Sequence, residues 1–181
     1  MNDRLFDMPI CGGYPIDVEE ANRLLIEWNH KLGPVERPFR QEAFGLEICG
    51  KGLIAVAVSG SIINGPISIR NDEGEVVRSY DREEVVELTR LASNVKWANR
   101  IMIRAYRELL APAWKCWPVK AVVSYSKNEM HSGNTYRFDG WAKINDNCGA
   151  RQAMLNRGKR RYGNDDPRAG SKSLWIWEYQ S

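Results

Sequence analysis

The chain has two histidines, His30 and His131, and an imidazole with an ordinary pKa of about 6.5 is well suited to take a proton at neutral pH. Glu87, in the run VVELTRLAS at 85–93, is a third candidate base, acting directly or through a water molecule. Ser124 and Ser126 fall at the end of the apolar run AVVSYS, where hydroxyls either hold a ligand or cap the strand. Between the two runs, SNVKWANR at 93–100 joins a strand to a helix and carries Lys96 and Arg100. Backbone N–H groups at a helix start bind phosphate, and the two cations add direct charge. The alternative for each residue is structural: a hydrogen-bonded histidine, a solvated strand glutamate, a polar connection.

The elements that must position these residues follow from periodicity. Val85 to Trp141 reads as a strand, the polar turn NVKW, an amphipathic helix (ANRIMIRAYRELLA) stopping at Pro112, a Trp/Pro loop, and the strand KAVVSYS. A polar loop (KNEMHSGN) and a short helix ending in TYRFDGW complete the stretch. This is a βαβ unit, which puts unpaired N–H groups beside the C-terminal ends of parallel strands. Before it, residues 1–16 read as an extended lead-in. Val18, Ala21, Leu24, Leu25, Trp28 and Leu32 define a helix over 18–32, with Asp17 as N-cap and Glu20 as its capping-box partner. Ala43–Cys49 and Leu53–Ile63 form a hairpin around Gly50-Lys51-Gly52, and 64–84 is an excursion with room for a small extra hairpin. After Trp141 come a short strand (142–144), a turn at 145–149, a basic loop, and a final strand with Trp175 and Trp177 on one face. The expectation is one α/β (α+β) domain over 1–181: lead-in 1–16, core 17–145, basic loop 146–172, final strand 173–180.

Composition bounds the partners. No run approaches the roughly 20 apolar residues that cross a bilayer, and MNDRLFDMPICGG lacks a secretory pattern, so a cytoplasmic protein with no membrane partner is expected. Cys11, Cys49, Cys116 and Cys148 are scattered without a CxxC pair, which argues against a zinc ribbon and for ordinary reduced thiols; no metal is assigned. The segment 151–172 carries Arg151, Arg157, Lys159, Arg160, Arg161, Arg168 and Lys172 against Asp165 and Asp166. Such a stretch either binds nucleic-acid phosphates, with Arg157, Lys159, Arg160 and Arg161 as the candidates, or is a solvated loop.

The element order, the strand–turn–helix at ELTRLAS-NVKW-ANR, and GNTYRFDGW together resemble the GNAT N-acetyltransferase superfamily, over roughly residues 17–145. WNHKLG, ELTRL and SYSKNEMHSGNTYRFDGW further resemble its phage-associated branch, which includes the Mom DNA-modification proteins. The resemblance implies a mixed, mostly antiparallel sheet with helices on both faces and a splayed acyl-CoA site. It assigns acetyl-CoA to Leu91, Ala92, Ser93, Asn94, Lys96, Trp97, Ala98, Asn99, Arg100, Ser124 and Asn134. A backbone N–H of Leu91 or Ala92 would polarise the thioester, and Tyr136 would donate to the departing thiolate. It also brings His30 and His131 towards the acceptor. Lys96 stands where the superfamily's phosphate turn has glycine, and Ser126 where the Mom branch often has an acid. The implied function is acetyl transfer to an amine, with a nucleobase in DNA as the first acceptor class and a protein lysine or small amine second. The alternatives are metal-assisted adenine modification and a non-catalytic nucleic-acid-binding or inhibitor protein.

Overall fold

A computed structural model describes residues 10–37, 40–63, 65–129, 132–148 and 171–180; His131, Arg157, Lys159, Arg160 and Arg161 lie outside them. Strand β1 (Ile10–Ile16) leads into helix α1 (Val18–Glu27), and the two apolar runs fold back on each other as β2 (Gln41–Ile48) and β3 (Gly52–Ser61). The excursion is a hairpin of β4 (Ile67–Arg70) and β5 (Val76–Tyr80), a separate two-stranded sheet. Then follow β6 (Val85–Ser93), α2 (Ala98–Ala105) with a π-helical turn to Leu110, β7 (Ala121–Lys127), α3 (Asn134–Phe138), β8 (Ala142–Cys148) and β9 (Lys172–Glu178).

The main sheet runs β1-β2-β3-β6-β7-β9-β8 and is antiparallel except between β6 and β7. Its interior strand β3 is buried on both faces, which is why it reads as a continuous apolar run. The small Ala55 and Ala57 face α2 and accommodate Met102, Ile103 and Tyr106, while Val56 and Val58 face α1. On the α1 face the β4–β5 hairpin covers the other half of the sheet, packing Ile67 and Tyr80 on Val85, Val123 and Ile176. Both faces are thus covered, as an α+β layer architecture requires.

Five expectations need correction. Residues 10–16 are not a loose lead-in but an edge strand on β2. The first helix stops at Glu27 rather than reaching residue 32, so His30 lies in the following loop. The chain turns at Asn29, in the left-handed region at φ 51°, and Arg90 then captures the carbonyls of Leu32, Gly33 and Pro34. At the other end of α1, Asp17 makes no side-chain cap bond. Residues 145–148, expected in a turn, belong to a bulged β8, because Asn128 and Ser171 hydrogen-bond the Asp146 carbonyl; with β9 starting at Lys172, both edges of the basic loop contract. Finally, Cys49 is disulfide-bonded, whereas Cys116 and Cys148 are free thiols.

Candidate functional site

β6 and β7 are paired only from Val85↔Ala121 to Leu88↔Ser124. Beyond that point β6 follows β3 to Ser93 and β7 follows β9 to Lys127, so the two strands part like a fork. Thr89 is the extra residue of a β-bulge between the pairs Ser59↔Leu88 and Val58↔Arg90, and its hydroxyl donates to the Val58 carbonyl at 2.8 Å. A bulge bends its strand and sharpens the twist, which steers β6 away from β7. Residues 89–93, including Leu91 and Ala92, therefore have no strand partner on the β7 side.

A hydrogen-bond chain closes the apex of the fork. Ser124 Oγ donates to the Leu88 carbonyl at 2.9 Å and lies 2.8 Å from the Tyr136 hydroxyl. Ser124 has one proton and spends it on Leu88, so Tyr136 is the donor in the second bond. The Tyr136 ring stacks on Trp175 (centroids 5.5 Å apart, 17° between planes) and meets Trp141 edge-on at 5.4 Å. Burial raises its phenol above the ordinary value. Arg107, stacked 3.8 Å from the Trp177 ring centroid, binds Asp139 at 2.6 Å, and Asp139 also accepts from the Trp141 indole at 2.9 Å. The end of α2 is thereby tied to the exit of α3.

Gly133 fixes where α3 starts. Its φ is 71°, and a Cβ there would lie 2.2 Å from Cζ2 of Trp175, whose indole N–H is held by Ser126 Oγ at 2.8 Å. Gly133→Ala is therefore expected to destabilise the fold by about 2–4 kcal/mol, through backbone strain and overpacking together. Urea denaturation measures this directly; a change below about 0.5 kcal/mol would mean the indole yields freely.

The turn from β6 to α2 lies at the open end of the same fork. Ser93 Oγ donates to the Val95 carbonyl at 2.8 Å and the Asn94 N–H to that of Ile54 at 3.1 Å, which holds the turn. The N–H groups of Ala98 and Arg100 return to Val95 and Trp97; the rest of the opening turn is left, as at any helix start, for an external acceptor. Trp97 and Ala98 anchor the turn in the core, while Lys96 and Arg100 are exposed around it. Lys96 does not have a positive φ, so the turn forms without the glycine found there in the superfamily pattern. Below it, the buried Oδ1 of Asn99 has no hydrogen-bond partner. Asn134 is exposed at the first position of α3.

The opposite face of the sheet carries charge. Glu87 is buried, and Arg37 grips both its oxygens, Nη2 to Oε1 at 2.6 Å and Nη1 to Oε2 at 2.9 Å. A base must present an oxygen to its substrate, and here both are engaged by a guanidinium. This geometry favours a positioning role over the proton-accepting one expected. His30 accepts the Leu32 N–H on Nδ1 at 3.3 Å, which engages that nitrogen within its own loop. Sequence reasoning missed Arg37, Arg90, Arg107 and Asp139. Of these, only Arg37 had a visible signal: a cation in a short segment bounded by Pro34 and Pro38. A cavity of about 760 Å³ lies at the other end of the sheet, lined in part by Tyr80, Lys120, Trp177 and Glu178. Its charges are internally paired, Glu178 with Arg78 and Tyr80, and Lys120 with Glu84.

Burial also raises the phenols of Tyr106, Tyr125 and Tyr179. In the unfolded chain a phenol ionises at a pH of about 10, so above that pH the unfolded state has lost protons the folded state retains. The stabilisation is complete below pH ~10 and is lost as pH rises towards the folded values. Urea midpoints should hold to about pH 9 and then fall, less steeply in Tyr136→Phe; a midpoint constant to about pH 11 would contradict the burial of these phenols.

No protein-family model matches the chain, and neither does any curated protein. Solved structures do. The ribosomal-protein-S18-alanine N-acetyltransferase from Escherichia coli superposes with a TM-score of 0.52 at 11% identity, covering 91% of this chain and 90% of that one. A spermidine N-acetyltransferase chimera from Vibrio cholerae and hSSAT superposes with a TM-score of 0.50 at 11% identity, covering 94% and 95%. The mostly antiparallel seven-stranded sheet split between β6 and β7 is the fold of these N-acetyltransferases.

Proposed function

We propose that this chain is an acetyl-CoA-dependent N-acetyltransferase acting on an amine, with a nucleobase in DNA as the first acceptor to test. The observation that carries the reading is the fork itself, a parallel pair broken at a β-bulge, with a phenol at its apex and a helix N-terminus at its mouth. Acetyl-CoA, when bound, supplies an acetyl thioester whose thiolate must be stabilised as it leaves. The residues present fit such a molecule: an open strand edge, helix-start N–H groups, two exposed cations and the unsatisfied Asn99 amide oxygen.

Each residue then has a physical task. The N–H groups of Val95, Lys96, Trp97 and Asn99, which the turn's own bonds leave over, hold the pyrophosphate with Lys96 and Arg100. The open backbone edge at Leu91 and Ala92 supplies a fixed dipole for the carbonyl, a kind of stabilisation that needs no reorganisation during reaction. Tyr136 acts as a donor. An ordinary thiol has a pKa of about 8.5 and an ordinary phenol one of about 10, which burial raises further here, so complete proton transfer from Tyr136 to a thiolate is uphill. Tyr136 instead stabilises the departing charge through a hydrogen bond, its one proton turning from Ser124 Oγ to the thiolate. Base duty towards the acceptor falls to His131 or His30 before Glu87, because of the Arg37 clamp.

The test offers isotopically labelled acetyl-CoA with duplex and single-stranded DNA, a lysine peptide and spermidine, followed by mass spectrometry of nucleosides and products. An acetylated nucleoside is the expected product. Acetyl transfer to the peptide or spermidine alone would move the acceptor elsewhere, and no transfer to any acceptor would contradict the reading.

A further inference from the structure

Lys127 and Lys172 sit directly opposite each other across the antiparallel β7–β9 pair, at the end of these strands that flanks the open fork. Like charges in register across a ladder repel, and sheets normally avoid the arrangement. Both belong to the face that also carries Glu87, Tyr125 and Leu174. The Lys127 side chain is only 13% exposed, and its carboxylate partner, Glu129, is distant at 3.5 Å and largely solvated. Among the described residues the Lys172 side chain makes no hydrogen bond or ion pair. Burial lowers its pKa, and repulsion from Arg90, Lys127 and Arg37 lowers it further, while Glu87 acts in the other direction. Arg90 donates to the carbonyls of Leu32, Gly33 and Pro34. Counting Arg37, Lys127 and Lys172 against Glu87 and Glu129 leaves one positive charge in excess on this face. The nearby Asp146 is already engaged by Lys143 and Ser173.

We infer that Lys127 and Lys172 form a phosphate-binding clamp on the acceptor side of the fork, so that the amine substrate carries phosphate. The word acceptor rests on the transferase reading; the clamp does not. A phosphate between the two ammonium groups relieves their repulsion and forms charge-assisted bonds to both. The same field disfavours a polycation such as spermidine, the amine that names one structural neighbour. A free nucleotide and a nucleic-acid strand present the same phosphate chemistry.

The experiment uses the full chain with a short fluorescein-labelled single-stranded oligodeoxynucleotide, with dAMP and spermidine as competitors. Lys127→Gln and Lys172→Gln should each weaken oligonucleotide binding about 5- to 10-fold and reduce the salt slope by about one. Each should also raise Tm by about 1–3 °C, because a like-charge pair is removed, which separates a binding residue from a structural one. Competition by dAMP would identify a single phosphate as sufficient, and its failure would identify a strand as the ligand. Variants that bind like the parent, or spermidine outcompeting the oligonucleotide, would overturn the clamp. Titrating acetyl-CoA into the same proteins keeps the two readings apart. Lysine-dependent oligonucleotide binding without acetyl-CoA binding sinks the transferase and leaves the clamp; acetyl-CoA binding with lysine-independent oligonucleotide binding does the reverse.

Discussion

Tyr136→Phe should lower kcat about 100-fold while leaving acetyl-CoA affinity within about twofold, the pattern for a donor that matters only as charge develops. The variant keeps the ring that stacks on Trp175 and meets Trp141, so the fold and the position of α3 are retained. What it loses is the bond to Ser124, which still has the Leu88 carbonyl; that loss is worth only about 1 kcal/mol of stability. Ser124→Ala is the companion variant. It preserves the phenol but frees it from its anchor, so its rate should fall between that of the parent and that of Tyr136→Phe. Full activity in Tyr136→Phe would remove the phenol from the mechanism, even if acetyl-CoA binds as expected.

The largest stability effect is expected at Arg37. Its side chain is 16% exposed and that of Glu87 8%, so Arg37→Ala leaves a buried carboxylate without its counter-charge. Breaking such a pair from one side costs about 3–5 kcal/mol, while replacing both partners by apolar residues of similar volume is often close to neutral. Arg37→Met combined with Glu87→Leu should therefore recover most of the loss, and a double-mutant cycle in urea would measure it. The same cycle settles what Glu87 does. As a positioning residue, it loses turnover in Glu87→Gln in step with the damage of Arg37→Met. As a base, it loses turnover in Glu87→Gln far beyond the loss in Arg37→Met at comparable damage to stability.

The local pattern showed much of this in the sequence. The hairpin around Gly50–Gly52, the excursion at 64–84, the β6–α2 turn and the short helix bearing Tyr136 all follow from periodicity and turn residues. The interactions that give the site its character depend on long-range register, which periodicity does not encode. Lys127 and Lys172 are 45 positions apart, and nothing in either segment indicates that they face each other until β9 pairs with β7. The early end of α1 is likewise a tertiary effect, since Arg90 on β6 holds the loop that a local pattern would continue as helix. The turn between β6 and α2 is the opposite case. Its missing glycine looks like a defect in the motif, yet the backbone at Lys96 needs no left-handed residue. His131 and the basic cluster 157–161 fall outside the described residues, and their roles in acceptor binding stay as proposals.

The central claim is that the fork between β6 and β7 binds an acyl-CoA, and calorimetric titration with acetyl-CoA tests it most directly. One site per chain is expected, with a dissociation constant of about 1–100 µM. Lys96→Glu should weaken it about tenfold, by reversing charge at the phosphate turn, and Tyr136→Phe should leave it unchanged. Absence of saturable heat with acetyl-CoA at about millimolar concentration, or tight binding that charge reversal at Lys96 leaves untouched, would contradict the account.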